Sequence, residues 1–298
     1  MIYSLFATKY PDFILSVDMI RFKFELRRDC LDLFLSHFND IDRSDIFNYR
    51  PNFTDLKYRY LFKLTGKDSS CIVGFSFNGY KKDDKFLGFI EFNPNKILEE
   101  VLNDVFFIKN CSLDFSISRC DIAFDFPFNR SYVKLVRNNN AVYKLDYKSI
   151  CNFTEYLGSR NTNNFLKIYN KTLESDLEYD CTRIEITLDY PFDKINLPLV
   201  YFYDCFLCDT SLNDTDFVLL DLLLKSDNPS FYLNKLGRVK REKYKKYFDK
   251  NFIKLFKNEN EIYSLICKLK CELTKFFYDA NINDVANRTL RKTLDFTN

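Results

Sequence analysis

The sequence has no tryptophan and a single histidine, His37. That one imidazole excludes whole classes of chemistry. A Ser/His/Asp triad, a Cys/His pair or a multi-histidine metal site would each have to be built on it. It lies in D-C-L-D-L-F-L-S-H-F, a helix-like stretch, and reads as structural. A charge of one sign is also lacking: 44 Lys and Arg face 42 Asp and Glu, a net charge of +2, so any case for nucleic acid has to be local. No run of about 18 apolar residues exists that could cross a bilayer. The nearest, Phe217–Leu224, is broken by Asp221. The start, M-I-Y-S-L-F-A-T-K-Y-P, lacks the basic end and long apolar core of a signal peptide. The ten cysteines have no regular short spacing, and the one C-x-x-C, Cys205 and Cys208, has no second pair at zinc-knuckle distance. Cys71, Cys120, Cys181 and Cys267 sit in apolar runs and read as reduced, buried small hydrophobes. Together these features point to a cytoplasmic protein with no membrane partner.

What is present is enough apolar residue to build a sizeable core: 46% of 298 residues, within one large domain or two modest ones. Phe (33) and Tyr (20) are abundant, and with Lys, Asn and Ile also plentiful, part of that excess fits a low-GC coding bias. Period-two alternation predicts strands over 14–28, 58–64, 71–77, 86–92 and 113–126, with Asn78-Gly79 marking a hairpin. Helical spacing predicts helices over Asp29–Phe38, Lys96–Phe106, Ser131–Ala141 and Glu259–Phe277, and residues 39–56 read as loop. The order suggests an α+β fold: a mostly antiparallel sheet with helices on one face, then a mainly helical C-terminal region. Pro191 and Pro198 mark a boundary, giving units 1–195 and 196–298.

The stretch 154–188 carries the strongest signal. Strands are expected at Thr154–Gly158, Phe165–Lys171 and Cys181–Leu188, around an Asn-rich polar turn. Side chains alternate across a sheet. Lys167, Tyr169 and Lys171 therefore share one face, and Arg183 and Glu185 lie opposite Ile184, Ile186 and Leu188. Upstream, Arg119, Asp121 and Asp125 stand against Cys120, Ile122, Phe124 and Phe126. One face is thus apolar. The other gathers carboxylates, cations and a tyrosine, a set suited to metal-assisted phosphoryl chemistry. The plainer reading is a solvated sheet face with cross-strand charge pairs.

Beyond residue 195 the chain is first acidic, then basic: over 238–257 nine Lys or Arg face only Glu242 and Asp249. Phe248, Phe252, Leu255 and Phe256 recur there at helical spacing, which sets a basic face opposite an apolar one. Lys240, Arg241 and Lys245 could lie along phosphates, or cover an ordinary solvated face.

Three blocks resemble the Rep_trans family of rolling-circle plasmid replication initiators, which also includes relaxases of some conjugative elements. They are S-R-C-D-I-A-F-D (118–125), Y-L-G-S-R-N-T-N-N-F-L-K-I-Y-N-K (156–171) and T-R-I-E-I (182–186), and S-V-D-M-I-R-F-K-F (16–24) is similar to the family's opening strand. Order and spacing both match across 16–188. Lys167 stands where the family usually has Arg, and Thr162 where it often has Ser. The resemblance implies that Tyr169 attacks a DNA phosphate, giving a 5′-phosphotyrosyl enzyme and a free 3′-hydroxyl. Tyr156, on the neighbouring strand, is the substitute nucleophile. A phenol titrates near 10, so Lys171, Lys167 or a metal is expected to favour the phenolate, with Arg183 assisting. Mg²⁺ or Mn²⁺ is expected on Asp121, Glu185 and then Asp125, and phosphate clamping by Arg119, Arg160 and Arg183. The implied partners are origin DNA, both duplex and single-stranded or hairpin, a second copy in a homodimer, and a host helicase. A conjugative relaxase, a non-catalytic DNA-binding copy-number regulator and an unrelated α+β binding module are the alternatives.

Overall fold

The computed structural model describes residues 7–39, 60–65, 70–77, 86–96, 99–136, 141–149, 152–160, 162–202, 213–225, 229–251 and 253–279. The 39–56 loop beyond residue 39, the Asn78-Gly79 turn, the Cys205/Cys208 pair, Phe252 and everything past 279 fall outside these residues.

The fold is α+β and is organised on a ten-stranded antiparallel sheet. Its strands are β1 (Ala7–Lys9), β2 (Ile14–Leu26), β3 (Tyr60–Thr65), β4 (Ser70–Phe77), β5 (Phe86–Phe92), β6 (Ser112–Phe126), β8 (Tyr143–Ser149), β9 (Asn152–Leu157), β10 (Leu166–Asn170) and β11 (Thr182–Asp189). They run in the order β3-β4-β5-β2-β6-β11-β10-β9-β8, with β1 beside β2. A smaller sheet joins β7 (Val133–Leu135), β12 (Val200–Phe202) and β13 (Ile253–Lys254).

Alternation explains why β2 and β6 form the spine. In β6, Ile117, Cys120, Ile122, Phe124 and Phe126 are buried, leaving Arg119, Asp121 and Asp125 on the other face. In β2, Leu15 and Val17 are buried, and so are Ile20, Phe22, Phe24 and Leu26. The apolar phase slips by one residue between those two sets. The register shifts at Val17/Met19, a β-bulge that puts Asp18 and Met19 together on the polar side. Glycine permits close crossings on β4 and β5. A Cβ on Gly74 would lie 2.1 Å from the Phe89 ring, and one on Gly88 2.2 Å from that of Phe24.

Helices α1 (Leu31–Asn39), α2 (Glu99–Asn110) and α7 (Glu259–Thr274, continued by a π-helical turn, Lys275–Asp279) cover the apolar face. Phe34, Val105, Ile266 and Leu273 join the strand residues in one core, so the C-terminal α7 shares the core of the N-terminal sheet. His37 serves this packing. Its ring stacks on Phe107 with centroids 3.9 Å apart, and Nε2 lies 3.0 Å from Asp104. The helices α4 (Asp214–Lys225), α5 (Pro229–Lys235) and α6 (Arg238–Asn251) surround a second, small cluster of Leu220, Leu233 and Tyr244.

Four expectations are corrected. The helix expected over 131–141 is instead a 3-10 turn (Arg130–Tyr132) leading into β7, where Val133 and Leu135 alternate with Lys134 and pair with β12. The basic helix stops at Asn251 rather than running to 257. Ile253–Lys254 pairs with Tyr201–Phe202, which carries Leu255 and Phe256 into the main core, where the Phe256 ring meets Phe124 at 5.0 Å. Lys171 opens the short helix α3 (Lys171–Ser175) instead of ending a strand, because the Asn170 side chain caps it by accepting from Leu173 N at 3.1 Å. Cys71, Cys120 and Cys181 are buried, but Cys267 is exposed on the outer side of α7. Among the described residues, no helix is long and apolar enough to cross a membrane.

Candidate active site

The polar face of the sheet is a grid set by register. Tyr169 on β10 pairs with Arg183 on β11, which pairs with Asp125 on β6. One row along, Tyr156 on β9, Lys167 on β10 and Glu185 on β11 are consecutive partners. Thr187 faces Asp121 in the next row. Residues from four strands and three separate sequence blocks thus meet on one surface.

Two networks occupy the grid. In the first, the Tyr169 hydroxyl donates to Glu185 Oε1 at 2.6 Å, and Lys167 Nζ donates to Glu185 Oε2 at 3.1 Å. The Lys167 ammonium also sits over the Tyr169 ring, 4.0 Å from its centroid, while Lys171 Nζ is 5.9 Å away and pairs with Glu174. Both cations address the ring face, and the phenol oxygen itself meets a carboxylate. Tyr169 is 6% exposed. Burial and then the Glu185 charge push its pKa up, against the expectation that a cation would lower it. Burial, followed by the nearby Asp18, also raises Glu185.

The second network centres on Arg183. Nε and Nη2 each donate to Asp125 at 2.6 Å, a bidentate fork, and Nη1 donates to Asp18 at 2.7 Å. Burial opposes the charge, but the Asp125 hydrogen bonds and charge outweigh it and hold the guanidinium above its ordinary pKa. Asp125 and Arg183 are therefore committed to each other. Arg119 donates through Nη2 to the Arg160 carbonyl at 2.9 Å and to Thr187 at 3.3 Å. Its buried Nε has no hydrogen-bond partner among the described residues and lies 3.8 Å from Asp121. Asp121 accepts from Thr187 at 2.7 Å. Its pKa is raised by burial, which the Thr187 bond and Arg119 oppose and Glu91 and Asp18 reinforce.

A cleft of about 780 Å³ opens over this grid. One wall holds Asp18, Glu91, Asp121 and Glu185 with Arg21 and Arg119, and the other holds Lys144, Tyr156, Arg160 and Phe165. Lys167 and Glu185 reach the cleft, while Tyr169 stands behind Glu185. The charges of Glu91 and Asp18 add to the burial that raises Asp121, Asp18 does the same to Glu185, and the oxygen donors of this wall suit a hard divalent cation. As arranged here each is spent on a neighbour, and among the described residues no three His, Cys, Asp or Glu side chains converge to hold an ion.

Of the expected residues, Asp121, Glu185, Arg119 and Lys167 line the cleft with Arg160 exposed at its rim. Tyr169, Arg183 and Asp125 stand beside them on the grid but do not line the cleft, and Lys171 is paired with Glu174 at the start of α3. Lys240, Arg241 and Lys245 are elsewhere, on α6. Lys240 and Lys245 are exposed, and Arg241 is half-buried. Sequence reasoning missed Asp18 and the Arg21–Glu91 pair (2.5 Å). The phase slip in V-D-M-I was the available signal for Asp18. Glu91 gave none, because its partner lies 70 residues away.

No family model matches the chain. Over 177 residues it is 27% identical to a replication initiation protein of Staphylococcus aureus, a match that covers 53% of this chain and 52% of the relative. The chain thus spans about half the length of the curated relative it matches. Among solved structures it is similar to the rolling circle replication initiator protein of Geobacillus stearothermophilus, at 14% identity and a TM-score of 0.34, over 59% of this chain and 74% of that one.

Proposed function

We propose that this protein is a replication initiator of the rolling-circle kind that nicks and rejoins origin DNA with Tyr169 as its nucleophile. The observation that carries the reading is the Tyr169–Glu185–Lys167 relay: a buried phenol donating at 2.6 Å to a carboxylate that an ammonium holds from the other side. Similarity to the staphylococcal replication initiation protein supports the biological setting.

The relay suits one step in particular. A phenol whose pKa is raised does not ionise in advance, so its proton has to leave as attack proceeds, and Glu185 is the base in contact. The Tyr169 oxygen forms a bond to phosphorus as the P–O3′ bond breaks. The phenol proton passes to Glu185, and the departing 3′ oxygen takes a proton from water in the cleft. The products are a 5′-phosphotyrosyl link and a free 3′-hydroxyl, and the reverse step reseals the strand. Because Tyr169 lies behind Glu185, it must come forward past that side chain when DNA fills the cleft. Lys167 and Arg160 face the incoming phosphate, while Arg183 holds Asp125 and Asp18 in place. Asp121 and Glu185 offer oxygen donors of the kind Mg²⁺ or Mn²⁺ takes, and a bound ion would supply charge neutralisation at a phosphate oxygen. As arranged here both are hydrogen-bonded to neighbours and would have to be released to it. The exposed Lys240 and Lys245 of α6 form a separate contact for duplex phosphates. Dimerisation and a helicase partner belong to the same reading. A conjugative relaxase would perform the same step.

The test is cleavage of negatively supercoiled DNA carrying the element's own origin, with Mn²⁺ or Mg²⁺. Wild type should form a 5′-linked adduct. Tyr169→Phe should form none, and Glu185→Gln should slow adduct formation by about 10²–10⁴-fold, the usual worth of a general base. An adduct in Tyr169→Phe would move the nucleophile elsewhere. Binding without cleavage under either metal would leave the non-catalytic regulator in its place.

A further inference from the structure

We infer that Tyr156 and Phe165 form a stacking subsite for a base of single-stranded DNA beside the reacting phosphate. This deepens the nicking reading and rests on it for the identity of the ligand.

The two rings are parallel, with centroids 5.9 Å apart and planes inclined by 16°, and both line the cleft while staying partly exposed. They belong to neither hydrophobic cluster, although the neighbouring Tyr143 and Leu157 pack on the main core. The stack therefore does not serve core packing. It is held from beside the cleft. Tyr156 is fixed by the β9–β10 ladder opposite Lys167, and Phe165 O accepts from Thr187 N at 2.9 Å. Lys144 Nζ lies 5.6 Å from the Tyr156 centroid and is steadied by Asp146 at 2.9 Å. Arg160 is exposed on the turn between the two strands.

Aromatic faces with adjacent cations are the chemistry by which single-stranded nucleic acid is held without sequence readout: the rings take bases and the cations follow phosphates. The placement fits the reaction. Tyr156 stands one strand from Lys167, roughly 5 Å across the ladder. A base stacked on it would set the adjoining phosphate over Lys167 and Glu185, in front of Tyr169. The opposite wall, where Asp18, Glu91 and Asp121 stand with Arg21 and Arg119, offers no ring to stack on. In this reading Tyr156 acts through its ring, and its hydroxyl is dispensable.

The experiment uses the full chain without divalent metal, so that no cleavage occurs. The probe is a mixed-sequence single-stranded oligonucleotide with 2-aminopurine scanned along it. Wild type should bind and quench the probe. Tyr156→Phe should bind and quench as wild type does. Tyr156→Leu should bind about 5- to 150-fold more weakly, the range for loss of one base-stacking ring, and lose the quench. Phe165→Leu is the second variant, with the same expectation, should Tyr156→Leu fail to fold. Wild-type affinity and quench in the folded leucine variants would overturn the proposal, and so would loss of binding in Tyr156→Phe or failure of wild type to bind any oligonucleotide. The readout is binding alone, so it separates from the nicking reading. A protein that quenches the probe but forms no adduct keeps the subsite and loses the reaction. One that cleaves while Tyr156→Leu binds normally keeps the reaction and loses the subsite.

Discussion

Replacing Arg183 with Met should destabilise the protein more than any other single change on the polar face. The guanidinium makes three charge-assisted bonds, two to Asp125 at 2.6 Å and one to Asp18 at 2.7 Å, and the Arg183 and Asp125 side chains are only 11% and 15% exposed. Methionine fills much of the volume but leaves two carboxylates facing each other with no counter-charge, beside a third at Glu185, whose pKa Asp18 already helps to raise. Removing one partner of a buried pair costs about 3–5 kcal/mol, mostly the penalty of the charge left behind. At roughly 2–3 °C per kcal/mol for a chain of this size, Tm should fall by about 6–15 °C. The double variant Arg183→Met/Asp125→Leu removes the stranded carboxylate as well. Asp18 keeps the Asn93 amide at 3.3 Å, so this variant should recover more than half of the loss. Calorimetric melts of both variants are the assay. A single variant within about 1 kcal/mol of wild type would refute the argument, as would a double variant no more stable than the single one. Asp125→Asn adds a functional contrast. If Asp125 serves Arg183, the variant melts earlier but needs no more Mn²⁺ for cleavage. If it is a metal ligand, the Mn²⁺ requirement rises.

The sheet and its two faces were legible because apolar and polar residue types alternate with a period of two along β6 and β11, the period at which side chains alternate across a sheet. The composition of the site followed from the same parity. Its pairings did not. Parity places Asp125, Arg183 and Glu185 on one face, but which carboxylate takes the arginine depends on register, and register is set by pairing between strands some 60 residues apart. That is why Asp125 was expected as a metal ligand and is found gripped by Arg183. It is also why Tyr169, expected beside a cation that favours its phenolate, is found donating to Glu185. Asp18 was hidden by a bulge, visible in the sequence only as a slipped phase. Val133–Leu135 was misread as helix because three alternating residues are too short a signal to outweigh helical composition, and its partner β12 lies more than 60 residues on. The C-terminal break has the same origin. The spacing of Phe248, Phe252 and Phe256 suits one long helix, yet Phe256 gains more by entering the core against Phe124 and Phe126 than by extending a solvated face.

On α6, Lys240→Ala/Lys245→Ala should weaken duplex binding at low salt and lower the slope of log affinity against log salt by up to about 2, roughly 0.9 for each phosphate no longer neutralised. An unchanged slope in a salt titration would mean that the basic face is only solvated surface. The pH dependence follows from Tyr244, which burial, and then its hydrogen bond to Asp216 at 2.5 Å, push up to about 12. In the unfolded chain a phenol titrates near 10, so at intermediate pH the folded state holds a proton that the unfolded state has released. This contribution to stability is complete below about pH 10 and is lost as pH rises through about 12. Tyr244→Phe loses the Asp216 bond at every pH and so starts lower, but without an ionisable phenol its urea midpoint should fall less steeply across that window than the wild type's. Equal slopes for the two proteins would show that Tyr244 is not what the alkaline transition titrates.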